Sequence, residues 1–163
     1  MEPKPVSASR IELAEVMMPH HANILGKIFG GVILALCDKA AATAAIRHAG
    51  RPCVTASFDH VSFKEPIEIG ELVRFLASVN CVGRTSMEVG VKVLAIEIAS
   101  GVVRHTNSCY VTMVAVGRDG RPVPVAPVVP ETETDRRRQA AGAGRAAIRR
   151  RARMGGTDEP AGA

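Results

Sequence analysis

One carboxylate stands out because of its neighbours. Asp38 lies in the run Val32 to Ile46, which is otherwise Leu, Ile, Val, Ala and Cys apart from Lys39 and Thr43. Burying an unpaired carboxylate costs several kcal/mol, so a chain places one there for a purpose. It acts either as a general base or nucleophile, or as a structural acceptor for backbone groups. Lys39 and Thr43, one and five residues on, are poor partners, since helical residues face each other at a spacing of three or four. Ala41, Ala42 and Ala45, on or near the same face, leave room for a ligand. Eight residues upstream, Gly30 and Gly31 open the run. A helix N-terminus presents free N–H groups and partial positive charge, and without side chains a carbonyl can come close to them, as an oxyanion hole requires. Alone, the pair reads equally well as a tight turn. Gly30 and Asp38 are about 12 Å apart along a helix, whereas one reacting carbonyl must lie about 3 Å from both. One helix cannot supply both groups. Two antiparallel helices can, so the spacing predicts a homodimer with shared sites.

The elements around these residues read clearly. RIELAEVMM (10–18) alternates partly, as a strand does. The run from Gly30 to His48 is Ala- and Leu-rich and apolar almost all round, which predicts a buried helix that Gly50 and Pro52 end. Then 53–63, 71–82, 85–98 and 105–117 read as strands with short connections, hence antiparallel. One long apolar helix needs that sheet curled around it. The expected class is α+β, with an antiparallel sheet wrapped around one central helix.

Pro122, Pro124, Pro127 and Pro130 then mark a boundary. Residues 1–9 read as a flexible lead-in, 10–125 as the domain, and 126–163 as a Pro-bounded, Arg-rich helical tail. Thr132 or Thr134 could cap a short helix there, Gly142 and Gly144 weaken it, and disorder is expected beyond Met154.

The residues 20–38, HHANILGKIFGGVILALCD, resemble the signature of the cytosolic, YciA-like branch of the hotdog-fold acyl-CoA thioesterases. The matching pattern is Asn23, Gly26, Phe29, Gly30 and Gly31, followed by Asp38 on the central helix. SFKEPI (62–67), VGRTSM (82–87) and VAVGRDGRPVPV extend the resemblance over about residues 9–125. It implies a hotdog fold and hydrolysis of an acyl-CoA to free acid and CoA. Asp38 would be general base or nucleophile, Asn23 would hold the water or the thioester, and the amides of Gly30 or Gly31 would polarise the carbonyl. Phe29 and Lys64 would contact the substrate, and Arg84, Thr85 and Ser86 the CoA nucleotide. No metal and no cofactor beyond the CoA of the substrate is implied. The assembly implied is a trimer of dimers.

Composition narrows the alternatives. Of a net charge of +5, residues 136–163 carry eight Arg against Asp158 and Glu159, so the first 135 residues are close to neutral. Aromatics are 3% with no Trp, which argues against a nucleic-acid surface built on stacking. The four cysteines have no CxxC spacing, and His20-His21 lacks a further ligand at metal spacing. Reduced thiols, no apolar leader and no membrane-length apolar run point to the cytoplasm. The remaining readings are a non-catalytic hotdog module that senses acyl-CoA, a domain tethered to RNA or membrane by its basic tail, and a hotdog dehydratase. The last wants a His beside the Asp, and residues 30–46 have none.

Overall fold

The computed structural model describes residues 1–155. A short strand β1 (Lys4–Pro5) leads through a 3-10 turn (Val6–Ser9) into β2 (Ile11–Val16), and a second such turn (Pro19–His21) precedes the long helix α1 (Gly30–Ala49). Gly50, at φ 68°, ends α1 in the left-handed conformation and donates its N–H to Ile46 O. Four long strands follow: β3 (Cys53–Phe63), β4 (Leu72–Val82), β5 (Ser86–Ile96) and β6 (Val103–Ala115). A two-residue strand β7 (Val128–Val129) and the helix α2 (Glu133–Gly155) complete the order.

Five strands form one antiparallel sheet in the order β2-β4-β5-β6-β3. Its inner face is the alternate set Val73, Phe75, Ala77 and Val79, then Val89, Val91 and Val93, then Cys109, Val111 and Met113, all buried. Against it pack Ile33, Leu36, Cys37, Ala40, Ala41, Ala44 and Ala45 of α1. The alanines let helix and sheet approach closely. This is the hotdog arrangement.

The structure changes two expectations about burial. Helix α1 is not enclosed all round: Ala35, Lys39, Thr43 and Ile46 are exposed, and Asp38 is half-buried. The sheet covers one side of the helix and leaves a stripe of mixed side chains uncovered. Residues 1–9 are not a loose lead-in. Strand β1 pairs in parallel with β7, Val6 is buried, and Ser7 donates its N–H and Oγ to Glu131. The Ser9 hydroxyl donates to Val6 O and accepts from Val79 N–H. That fastening needs a segment more than 120 residues downstream, which local pattern does not reveal.

The basic tail also differs from its expectation. Helix α2 runs for 23 residues, capped as foreseen by Thr132, whose Oγ1 accepts from Asp135 N–H while Asp135 accepts from Thr132 N–H. It lies against the outer face of the sheet. Glu88, its side chain wholly buried, takes two hydrogen bonds from Arg145 at 2.7 and 3.0 Å and one from Asn80. Arg149 pairs with Asp59 and reaches Glu88. Gly142 is what permits the close approach, since a Cβ there would stand 2.8 Å from Glu88 Oε1 and 2.9 Å from Cys81 Sγ. Where the sequence suggested a helix weakened by two glycines, one of those glycines is a contact point. The expected disorder beyond Met154 falls largely outside the described residues.

Candidate active site

Asp38 sits in the middle of α1, on the stripe that the sheet leaves uncovered. Its partner comes from the edge strand. Thr55 Oγ1 lies 2.6 Å from Asp38 Oδ1 and donates to it, and it also lies 3.5 Å from Met113 Sδ. Asp38 is the only strong acceptor of the two, so the hydroxyl proton points to the carboxylate and fixes its orientation. The second carboxylate oxygen has no hydrogen-bond partner among the described residues. It is the one free to take a proton or attack.

Strand β3 delivers Thr55 to this face through an irregularity. Thr55 stands opposite Met113, whereas Ser57 stands opposite Thr112, so Ala56 is the extra residue of a β-bulge. Thr55 and Phe58 therefore share the inner face, and Ser57 and Asp59 the outer one. Sequence reading missed Thr55. A Thr in a strand of Thr and Ser carries no distinguishing mark, and strict alternation would have misassigned the faces beyond it.

The other expected residues lie at two ends of the domain. Arg84, Thr85 and Ser86 form the β4–β5 turn, closed by Gly83 N–H to Ser86 O at 2.7 Å. Their backbone is tied to β6 and the following loop, with Ala115 N–H bonding Thr85 O and Val125 N–H bonding Arg84 O. Ser86 faces Val114, which faces Val54. The turn is thus at the same end of the sheet as Thr55 and Asp38. Arg84 is exposed.

At the opposite end, Asn23, Gly30 and Lys64 line a cavity of about 330 Å³ together with Phe63 and Ile67. Asn23 shapes the loop before α1: its Oδ1 accepts from Leu25 N–H at 2.9 Å and Lys27 N–H at 3.2 Å. Only its NH2 group remains for a ligand. Helix α1 begins here with no side chain capping it; Val32 N–H donates to Phe29 O, and the Gly30 and Gly31 amides keep their hydrogen-bonding capacity. The two glycines are required by two aromatic rings. A Cβ on Gly30 would lie 3.3 Å from Phe63 Cζ, and one on Gly31 would collide with the Phe29 ring. Phe29 is 56% and Phe63 52% exposed, and Ile24 and Leu25 beside them are also exposed. The helix start is thus a polar spot framed by uncovered apolar surface.

Within one protomer, then, Asp38 does not join Asn23, Gly30 and Lys64. Asp38 and Thr55 pair at the end of the sheet that carries the β4–β5 turn, and Asn23, Phe29, Gly30, Gly31 and Lys64 lie at the other. His20 and His21 make a turn, in which His21 Nδ1 accepts from Met18 N–H. The four cysteines are free thiols. Among the described residues, no helix is long and apolar enough to cross a membrane.

Known proteins resemble this chain in sequence and fold. Residues 25–102 match the family model described as the thioesterase superfamily. Protein VdlD of Helicobacter pylori is 44% identical over 130 residues, covering 80% of this chain and 74% of its own. An acyl-CoA thioesterase solved as an apo hexamer is 38% identical with a TM-score of 0.89, covering 93% of this chain and 97% of that one. An acyl-CoA hydrolase from Staphylococcus aureus, solved with butyryl-CoA and CoA, is 31% identical with a TM-score of 0.87 over 93% of this chain and 92% of that one. Variants of that hydrolase with Ala in place of one Asn, one Asp and one Thr have also been solved. There the Asn lies 15 residues before the Asp and the Thr 17 residues after it. By sequence and by fold, this chain belongs to the thioesterase superfamily, among its hotdog-fold acyl-CoA hydrolases.

Proposed function

We propose that this chain is an acyl-CoA thioesterase whose active site is completed by a second copy of itself. The observation that carries the reading is the Asp38–Thr55 pair, at the middle of α1 and the start of β3, standing apart from the uncapped glycine start of α1 and its cavity. Strand β3 is a free edge of the sheet. Joining it to the same strand of a second copy, antiparallel and about a two-fold axis, sets the Thr55 end of one chain against the Phe63 end of the other. The axis then passes near Asp59, midway between Thr55 and Phe63, and near Leu34, midway between Gly30 and Asp38. One operation brings both pairs together. The stripe of α1 that the sheet leaves uncovered is free to face the helix of the second copy. The hexameric relative supports such an assembly repeated three times.

In the completed site, the amides of Gly30 or Gly31 from one chain polarise the thioester carbonyl, and the Asn23 amide donates to the thioester or the water. Asp38 of the other chain, oriented by Thr55, takes a proton from water as the oxygen attacks the carbonyl carbon. Collapse of the tetrahedral adduct breaks the C–S bond, and the proton passes to the departing CoA thiolate. In the nucleophilic variant, Asp38 attacks the carbonyl directly and expels CoA thiolate, which takes up a proton, and water then hydrolyses the resulting anhydride to free acid and the Asp38 carboxylate. The Asn, Asp and Thr altered in the S. aureus hydrolase have the spacing of Asn23, Asp38 and Thr55, which supports these assignments. Phe29 and Lys64 flank the acyl and pantetheine path, and Arg84, Thr85 and Ser86 offer a cation and hydroxyls to the CoA phosphates. The chemistry needs no metal or further cofactor, and a reducing cytoplasm suits the free thiols.

The test is thiol release from short, medium and long acyl-CoAs by the wild type and by folded Asp38→Asn. Turnover that disappears in the variant supports the reading. Binding of acyl-CoA without thiol release by the wild type makes the chain a sensor.

A further inference from the structure

A second cleft, of about 820 Å³, opens on the outer face of the sheet, the face turned away from α1 and Asp38. Its floor is built from neighbouring strands. Ser78, Gly90 and Tyr110 stand side by side across β4, β5 and β6, and Leu76, Lys92 and Ser108 form the next row. Gly90 keeps the floor open, since a Cβ there would stand 2.7 Å from Asn80 Nδ2. The first half of α2 forms a wall and brings Arg137 and Arg138.

The charge of this cleft is unbalanced. Arg10 is paired with Asp135 and Arg145 with Glu88. Lys92, Arg137 and Arg138 have no carboxylate partner among the described residues. The lining acid, Glu12, is already engaged through both oxygens by Arg74. Three uncompensated cations thus border one concave space, with the Ser78 and Ser108 hydroxyls as further donors. The Tyr110 ring is no stacking platform, because the Arg145 guanidinium covers it at 3.5 Å. Such a surface recognises concentrated negative charge rather than a planar base.

We propose that this cleft binds a polyphosphate group. Neither the thioesterase reading nor the residues assigned to it enter the argument. The phosphates could belong to a free polyphosphate or to the nucleotide end of CoA. With the sheet between the cleft and Asp38 of the same chain, a free polyphosphate is the expected source.

The experiment is calorimetric titration of the full-length protein with inorganic tripolyphosphate, at low and at physiological salt. The wild type is expected to bind, more weakly as salt rises. The variant Lys92→Ala/Arg137→Ala/Arg138→Ala should bind at least about tenfold more weakly, the scale of one lost charge-assisted contact. Arg150→Ala, exposed on α2 and outside the cleft, should bind like the wild type. No binding by the wild type, or equal binding by the triple variant, overturns the proposal. Repeating the titration with CoA present separates the sources. Unchanged binding assigns the anion to a free polyphosphate, and displacement by CoA supports the same phosphate recognition with the substrate as its source. The readout is binding itself, so an inactive enzyme leaves the outcome interpretable.

Discussion

The hydroxyl of Thr55 and the carboxylate of Asp38 are joined by a 2.6 Å hydrogen bond between an edge strand and the central helix. This bond restrains one carboxylate oxygen and leaves the other free. Asp38→Asn keeps the shape and can still accept from Thr55, but it can neither take a proton nor attack. Its kcat should fall about 10²- to 10⁴-fold, the range for loss of a general base. Thr55→Val removes only the orienting bond, so kcat should fall about ten- to a hundredfold with KM little changed. Steady-state thiol release measures both. A Thr55→Ser variant retaining most activity would confirm that the hydroxyl matters and not the methyl group.

Glycines 142 and 144 lie two residues apart on α2 and should respond oppositely to the same substitution. Gly144 has open space where a Cβ would go. Gly144→Ala should stabilise the protein by up to about 1 kcal/mol through helix propensity alone. Gly142→Ala gains the same propensity but drives a methyl group into Glu88 and Cys81. It should destabilise by about 1–3 kcal/mol, as overpacking does. Urea denaturation of the two variants distinguishes docking from propensity.

The buried Glu88 ties α2 to the sheet. Burial pushes its carboxyl up, but hydrogen bonds from Arg145 and Asn80 and the charges of Arg145 and Arg149 outweigh this and hold it below the usual 4.5. A carboxyl lowered on folding contributes stability above its unfolded value and loses it as pH falls through the folded one. Acid should therefore loosen α2 as pH drops well below 4.5. Glu88→Ala leaves Arg145 without its carboxylate and should cost about 3–5 kcal/mol at pH 7. Chemical denaturation followed across pH 3–7 checks both, with a flatter acid limb expected for the variant.

His48, buried at the end of α1, sets a milder acid sensitivity. Its Nε2 lies 2.9 Å from Ala126 O and donates to it, while Nδ1 is buried without a partner. Burial lowers its pKa from 6.5, opposed by the Ala126 carbonyl and aided by the charge of Lys4. The unfolded chain thus binds the proton more readily. Stability is full above about pH 6.5 and declines as pH falls below it. His48→Gln, which can still donate to Ala126 O, should remove that decline between pH 6.5 and 5, as read from the denaturation midpoint.

Much of this architecture is visible in the chain. The Ala- and Leu-rich run ends where Gly50 turns left-handed, and β3 spans the Cys53–Phe63 run as expected. Local composition decides such elements. Long-range docking was invisible for a physical reason. Glu88 belongs to the outer face, as its alternation with Met87 and Val89 implies, but alternation does not say whether that face meets water or another helix. Arg145 and Arg149 looked like solvated charge until Glu88 and Asp59 met them across about 60 and 90 residues. Asp38 drew notice by its neighbours, whereas Thr55 has ordinary ones.

The extra residue at Ala56 stands between two distant tasks. Strand β3 must turn Thr55 inward to Asp38 and Asp59 outward to Arg149, and at their spacing the bulge is what permits both. Deleting Ala56 would leave Thr55 opposite Met113 and Ser57 opposite Thr112 by plain alternation, so both contacts would survive and only the local kink of the bulge would be lost. The bulge is thus how an edge strand absorbs an odd residue and still presents each side chain to the side of the protein that meets it.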